Sequence, residues 1–147
     1  MGVGKCFLLA DDDPDDRNFF SLTLQSIDPA ISCRTAKSGQ EVLDVLNREK
    51  PLPVLLFLDI NMPNLNGWDV LIRIKKDPLL KTIPVIMYTT SSYKRDVELA
   101  AEFGAVGFCT KPDDLKQLKV VLQFIIDNVN NLSKETITNS GIENFKV

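Results

Sequence analysis

Short unbroken apolar runs alternate along the chain with longer stretches whose apolar residues recur at helical spacing. The apolar runs are Cys6–Ala10, Val54–Leu58, Val85–Tyr88 and Val106–Thr110, and Ile31–Thr35 is a short further strand-like segment. Runs of this length, bounded by turn residues, predict strands buried on both faces. Ile31–Thr35 is more polar, which predicts an edge position. The intervening stretches predict helices. The first starts at Pro14, with Asp13 as N-cap, and reaches about Ile27 with Phe20, Leu24 and Ile27 on one face. Ser38-Gly39-Gln40-Glu41 has the form of a capping box and opens a second, carrying Val42, Leu43 and Leu46. Asn66 caps a third, with Trp68, Leu71 and Ile72. A fourth covers about Tyr93–Phe103 and ends at Gly104, where a left-handed residue belongs. Asp113 or Asp114 caps a fifth, with Leu115, Leu118, Leu122 and Ile125 at helical spacing. From about Asn128 the composition turns to Asn, Ser and Thr, which predicts a tail that extends the last helix, covers a surface or is disordered.

Five β-α repeats in this order imply an α/β fold: a parallel sheet with helices on both faces, joined by right-handed crossovers. The length of 147 residues suits one domain with a real core, residues 1–127, followed by the tail and no output domain.

Composition narrows the chemistry. Hydrophobic residues make up 44% and charged residues 25%, as in ordinary globular proteins, and the net charge of −3 offers no nucleic-acid-binding surface. The chain has no histidine, which excludes Ser-His-Asp and Cys-His hydrolases and His-ligated metal sites. Cys6 and Cys109 sit inside apolar runs and Cys33 stands apart, which reads as free thiols in a reducing compartment. No apolar stretch is long enough to cross a membrane, and MGVGKCFLLA lacks the features of a signal peptide. These features imply a cytoplasmic protein.

The strand ends carry the candidate chemistry. Strand one runs into Asp11 and Asp12, strand three into Asp59, strand four into Thr89 and strand five into Lys111. In a parallel sheet these ends share one edge, where ligands collect at the topological switch point. Each residue alone has an ordinary explanation: a helix cap, a turn, a surface charge. Together, after strands with no internal polar residue, they form a constellation. Three carboxylates at close quarters require a cation or a raised pKa. Mg²⁺ fits, since it takes oxygen ligands and pairs carboxylates with phosphate oxygens. A carboxylate nucleophile, a Mg²⁺, an ammonium and a hydroxyl compose a phosphoryl-transfer site.

Four segments, LLADDDPDD, LDINMPNLNGWDVL, PVIMYTT and GFCTKP, occur in order over about Lys5–Asp127. With these, the chain resembles the response-regulator receiver domains of two-component signalling systems, of the single-domain chemotaxis type. The resemblance implies a flavodoxin-like, doubly wound five-stranded sheet of order 2-1-3-4-5. It implies Asp59 as phosphoacceptor, Asp11, Asp12 and Asp59 as carboxylates at Mg²⁺, and the backbone carbonyl of Asn61 as a further ligand. It also implies Thr89 as the switch hydroxyl, Phe108 at the aromatic switch position, Lys111 as the phosphoryl contact and a cis bond before Pro112. The implied partners are a histidine kinase or histidine phosphotransfer protein upstream and a protein target downstream. The target would meet the face of helix four, strand five and helix five, which is also a possible homodimer face, with no nucleic acid and no membrane involved. Asp113 and Thr90 depart from the family pattern; Thr90, bulkier than the frequent Ala or Gly, is expected to restrict water access.

Three other classes fit less well. An aspartyl phosphatase would need an acid at the position of Asn61. Gly2-Val3-Gly4-Lys5 precedes the first strand, where a phosphate-binding loop cannot form. A receiver-like module that signals without phosphate has no need of three carboxylates together.

Overall fold

The computed structural model describes residues 5–147, so most of the Gly2–Lys5 run lies outside the described residues. The elements are β1 (Cys6–Ala10), α1 (Pro14–Ile27), β2 (Ser32–Ala36), α2 (Gly39–Arg48), β3 (Leu55–Leu58), α3 (Gly67–Lys76), β4 (Val85–Thr89), α4 (Lys94–Glu102), β5 (Gly107–Thr110), α5 (Leu115–Asp127), α6 (Lys134–Ser140) and β6 (Phe145–Lys146). The sheet order is β2-β1-β3-β4-β5-β6. The first five strands are parallel in the predicted order, a flavodoxin-like arrangement, and β6 adds to β5 in the antiparallel sense. β2 holds the edge that its polarity predicts, with a largely exposed or half-buried pattern.

Successive strand residues point to opposite faces. On one face Leu8, Ala10, Leu56, Leu58, Val85, Met87 and Phe108 pack under α2, α3 and α4. On the other, Phe7, Leu9, Leu55, Phe57, Ile86, Tyr88 and Cys109 pack under α1 and α5. This two-sided burial is why the strands read as unbroken apolar runs. The second layer holds an aromatic cluster in which Phe20 of α1 meets Phe57 and Tyr88 edge-on, at centroid distances of 4.8 and 5.4 Å.

The caps follow the sequence closely. Asp13, Ser38, Asn66 and Asp114 each accept a backbone N–H of the first turn they precede. The reciprocal capping box is complete at Asn66 with Asp69, whereas at Ser38 only the hydroxyl half forms. Gly104 has φ +96°, as the αL position requires. Cys6 and Cys109 are buried free thiols, and Cys33 is half-buried and free.

The stretch after Asn128 differs from a simple tail. It makes a 3-10 turn at Val129–Asn131, then α6, then β6. Of the three alternatives, covering a surface is the one adopted. Ile137 and Phe145 are buried in the α1/α5 layer, and their burial holds an otherwise polar segment in place.

Candidate functional site at the carboxyl edge of the sheet

β1 and β3 pair directly, with Ala10 opposite Leu58, so the residues that follow them emerge side by side. The Asp59 N–H donates to the Ala10 carbonyl at 3.0 Å, which fixes the exit of β3 beside that of β1. β4 and β5 pair with Thr89 opposite Thr110, and the Lys111 N–H donates to the Thr89 carbonyl at 2.7 Å. Three adjacent pairings therefore place Asp11, Asp59, Thr89 and Lys111 along one edge.

The side chains converge there. Carboxylate oxygens of Asp11, Asp12 and Asp59 all lie within 4.8 Å of one another. Asp11 and Asp59 are buried and Asp12 is exposed at the mouth. Lys111 Nζ lies 2.7 Å from Asp11 Oδ2, 2.8 Å from Asp16 Oδ2 and 3.2 Å from Asp59 Oδ2. Burial raises the pKa of Asp11, against the opposing effect of Lys111. Burial alone would lower the pKa of Lys111, but its contacts with Asp11 and Asp16 and the charges of Asp59 and Asp11 prevail and hold the ammonium above its ordinary range. The acidic site thus keeps Lys111 charged.

The local backbone is built for this arrangement. Asp11 Oδ1 accepts the Asp13 N–H at 3.0 Å, and Arg17 Nη1 donates to the Asp11 carbonyl at 2.8 Å, tying the β1 exit to the first turn of α1. Asp59 Oδ1 accepts the Asn61 N–H at 3.3 Å. Thr89 is fully buried and its hydroxyl has no hydrogen-bond partner. Such an orphan is uncommon in a folded interior. Phe108 is buried against the α2/α3/α4 layer. Asn61 and Thr90 lie exposed at the rim.

Two features differ from the sequence reading. The Lys111–Pro112 bond is trans; the cis bond among the described residues is Lys50–Pro51. Trans is the lower-energy form for X–Pro by about 0.5–1 kcal/mol, and Lys111 reaches Asp11, Asp16 and Asp59 from a trans backbone. Asp16, in the first turn of α1, was not anticipated at the site. Its spacing reads as an ordinary helix-start acid, and only its place facing Lys111 across the fold distinguishes it.

The donor set suits a hard divalent cation. It offers only oxygen, and it holds like charges close enough that a cation relieves them. Asp11 Oδ2, which has no partner beyond the ammonium, is an available ligand atom.

Comparisons with known proteins agree with this geometry. The family described as response regulator receiver domain matches residues 7–123. A probable cyclic di-GMP phosphodiesterase of Vibrio cholerae is 36% identical over 80% of this chain, and the chain spans only 26% of that relative's length. The Mn²⁺-bound crystal structure of response regulator Rcp1, a protein of Synechocystis, is 31% identical, with 82% of this chain and 91% of that one covered and a TM-score of 0.73. The crystal structure of the phosphorylated cyanobacterial phytochrome response regulator RcpA is 28% identical, covers 87% of this chain and 95% of that one, and has a TM-score of 0.79. No helix among the described residues is long and apolar enough to cross a membrane. On its family match and its fold, this chain belongs to the response regulator receiver domains.

Proposed function

We propose that the chain accepts a phosphoryl group on Asp59 from the phosphohistidine of a histidine kinase or histidine phosphotransfer protein, and signals through a protein contact that depends on that modification. The observation that carries this reading is the position of Lys111 Nζ, 3.2 Å from Asp59 and 2.7 Å from Asp11, within a cluster of three carboxylates at the ends of adjacent strands.

In the proposed reaction an Asp59 carboxylate oxygen attacks phosphorus, a new O–P bond forms, the N–P bond of the donor breaks and the imidazole leaves with the electron pair. Asp11, Asp12 and Asp59, with the Asn61 carbonyl, are the residues that would hold Mg²⁺. The cation supplies charge neutralisation at the phosphoryl oxygens. Lys111 adds a fixed positive charge beside Asp59, so its ammonium stabilises the oxygens as charge spreads over them. The unpartnered Thr89 hydroxyl is able to donate to a phosphoryl oxygen, a hydrogen bond it does not make at rest. Gaining that bond draws Thr89 toward Asp59 and shifts the populations of the face formed by α4, β5 and α5, with Phe108 as the buried aromatic that follows. Hydrolysis of the aspartyl phosphate by water resets the site, and Thr90 at the rim restricts that water. Its buried free thiols fit a reducing cytoplasm.

The test is intact mass after incubation with acetyl phosphate. The expected result is a gain of one phosphoryl group in Mg²⁺, no gain in chelator and no gain for Asp59→Asn. A wild-type gain in Asp59→Asn would refute the assignment of the acceptor.

A further inference from the structure

β5 would be the open edge of a five-stranded sheet, and in this chain it is occupied. β6 opposes Phe145 to Cys109 and Lys146 to Phe108. The Thr110 N–H donates to the Asn144 carbonyl at 2.9 Å, and Asn144 Nδ2 donates back to the Thr110 carbonyl at 3.0 Å. An edge strand presents unpaired backbone groups that another extended segment can satisfy, which is a common mode of protein recognition. The segment is seated on Gly107, where a Cβ would meet Ile137 Cδ1 at 2.7 Å and Phe145 Cε1 at 2.9 Å. Phe145 packs edge-on against Phe124 of α5, with centroids 6.0 Å apart. Gly141, between α6 and β6, has φ +69° and nothing within 4 Å of its Cβ position.

The same segment is tied to the switch. Thr110 Oγ1 donates to the Ser91 carbonyl at 2.8 Å, and Ser91 lies two residues beyond Thr89. Thr110 is therefore held on one side by the loop leaving Thr89 and on the other by Asn144. A movement of Thr89 toward a phosphoryl group pulls this loop, and with it the Ser91 carbonyl that positions Thr110.

We propose that residues 141–147 are a built-in occupant of the β5 edge, seated at rest and loosened when Asp59 is phosphorylated. The uncovered edge then accepts an extended segment of a partner protein with an aromatic side chain in the place of Phe145. α6 stays anchored through Ile137 while the strand beyond Gly141 opens. This inference rests on the phosphoacceptor reading above.

The test follows the Thr110 amide, whose hydrogen bond ends on Asn144, by hydrogen exchange in the full chain before and after acetyl phosphate and Mg²⁺. Intact mass is read on the same sample. The expected result is one phosphoryl group gained and Thr110 exchange accelerated by about fivefold or more, with the central amides of Leu8 and Leu56 unchanged. A mass gain with unchanged Thr110 exchange would overturn the inference and leave the acceptor reading standing. Absence of any mass gain would overturn both. A second measurement uses reciprocity: a ligand that loosens the segment must bind more tightly when the segment is already loose. Asn144→Ala is expected to raise the affinity for beryllium fluoride, a reversible phosphoryl mimic, by about fivefold. Wild-type affinity in that variant would show that the segment is uncoupled from the site.

Discussion

Gly67→Ala probes how tightly the acceptor loop is supported from below. Gly67 is the first residue of α3, and its N–H donates to the Ile60 carbonyl at 2.9 Å. A Cβ there would meet the carbonyl oxygen of Asp59 closest of all, then Ile60 Cα at 2.8 Å and Asp59 C at 2.9 Å. Ordinary contact begins at 3.4 Å, so the two carbon atoms alone must retreat by 0.5 to 0.6 Å. All three atoms are backbone and cannot rotate away. Overpacking of this kind costs about 1–3 kcal/mol. For a domain of this size that lowers the melting temperature by about 2–12 °C, at 2–4 °C per kcal/mol. Two of the displaced atoms belong to Asp59, the proposed phosphoacceptor, and the third to Ile60 beside it. A misplacement of about 1 Å costs roughly 100-fold in rate, so half that distance costs roughly tenfold. The assay is thermal unfolding together with the rate of mass gain from acetyl phosphate in saturating Mg²⁺. Gly104→Ala is the control: it forces a Cβ into a left-handed conformation but meets only the flexible Lys75 side chain, at 3.4–3.5 Å, so it lowers stability by about 1–2 kcal/mol and leaves the phosphorylation rate alone. Wild-type stability and rate in Gly67→Ala would refute the claim that α3 supports the acceptor by close contact.

Three further outcomes follow from the same structure. Burial pushes the Cys109 thiol up to about 12 and raises Tyr88, while Lys111 is held above its ordinary range despite burial. In all three the folded state keeps its proton after the unfolded chain has begun to lose it, so stability falls as pH rises above 9.0, the ordinary value for a thiol. Denaturation midpoints at pH 8 and pH 10.5 should therefore differ, and Cys109→Ala should narrow the gap; equal midpoints would contradict this. In Asp16→Asn, Lys111 no longer has to leave a competing carboxylate to meet a phosphoryl group, so beryllium fluoride affinity should rise about fivefold, the equivalent of about 1 kcal/mol. The stability cost should stay below about 1 kcal/mol because Asp16 is 37% exposed, and an unchanged or lower affinity would refute the competition. Thr90→Ala should shorten the lifetime of the phosphorylated form, followed by mass after removal of the donor; an unchanged lifetime would remove Thr90 as the barrier to water.

The strands and the site were legible for the same reason. Strands buried on both faces must be continuously apolar, so the first polar residue after each one marks the sheet edge, and Asp11, Asp59 and Lys111 stand at those marks. Thr89 closes β4 itself, at the same edge. Cap residues located the helix starts to within a residue because Asp13, Asn66 and Asp114 satisfy specific backbone donors. Asp16 was hidden because its partner is 95 positions away in sequence and its local role is ordinary. The segment after Asn128 was hidden by composition: two buried residues, Ile137 and Phe145, hold a polar stretch, and a two-residue strand has no alternation to read. Its available signals were the Ser133 cap with Thr136 at the third helical position and the turn at Gly141. The trans bond before Pro112 shows a limit of another kind, since both isomers are compatible with the same residues.

Locating the modified residue tests the central claim most directly. The chain is incubated with acetyl phosphate and Mg²⁺, treated with borohydride, which reduces an aspartyl phosphate to homoserine, and digested for peptide mass mapping. The account predicts homoserine at position 59 alone, and none without Mg²⁺. Homoserine at Asp11, Asp12 or Asp16, or its absence from position 59 in a sample that has gained a phosphoryl group, would contradict it.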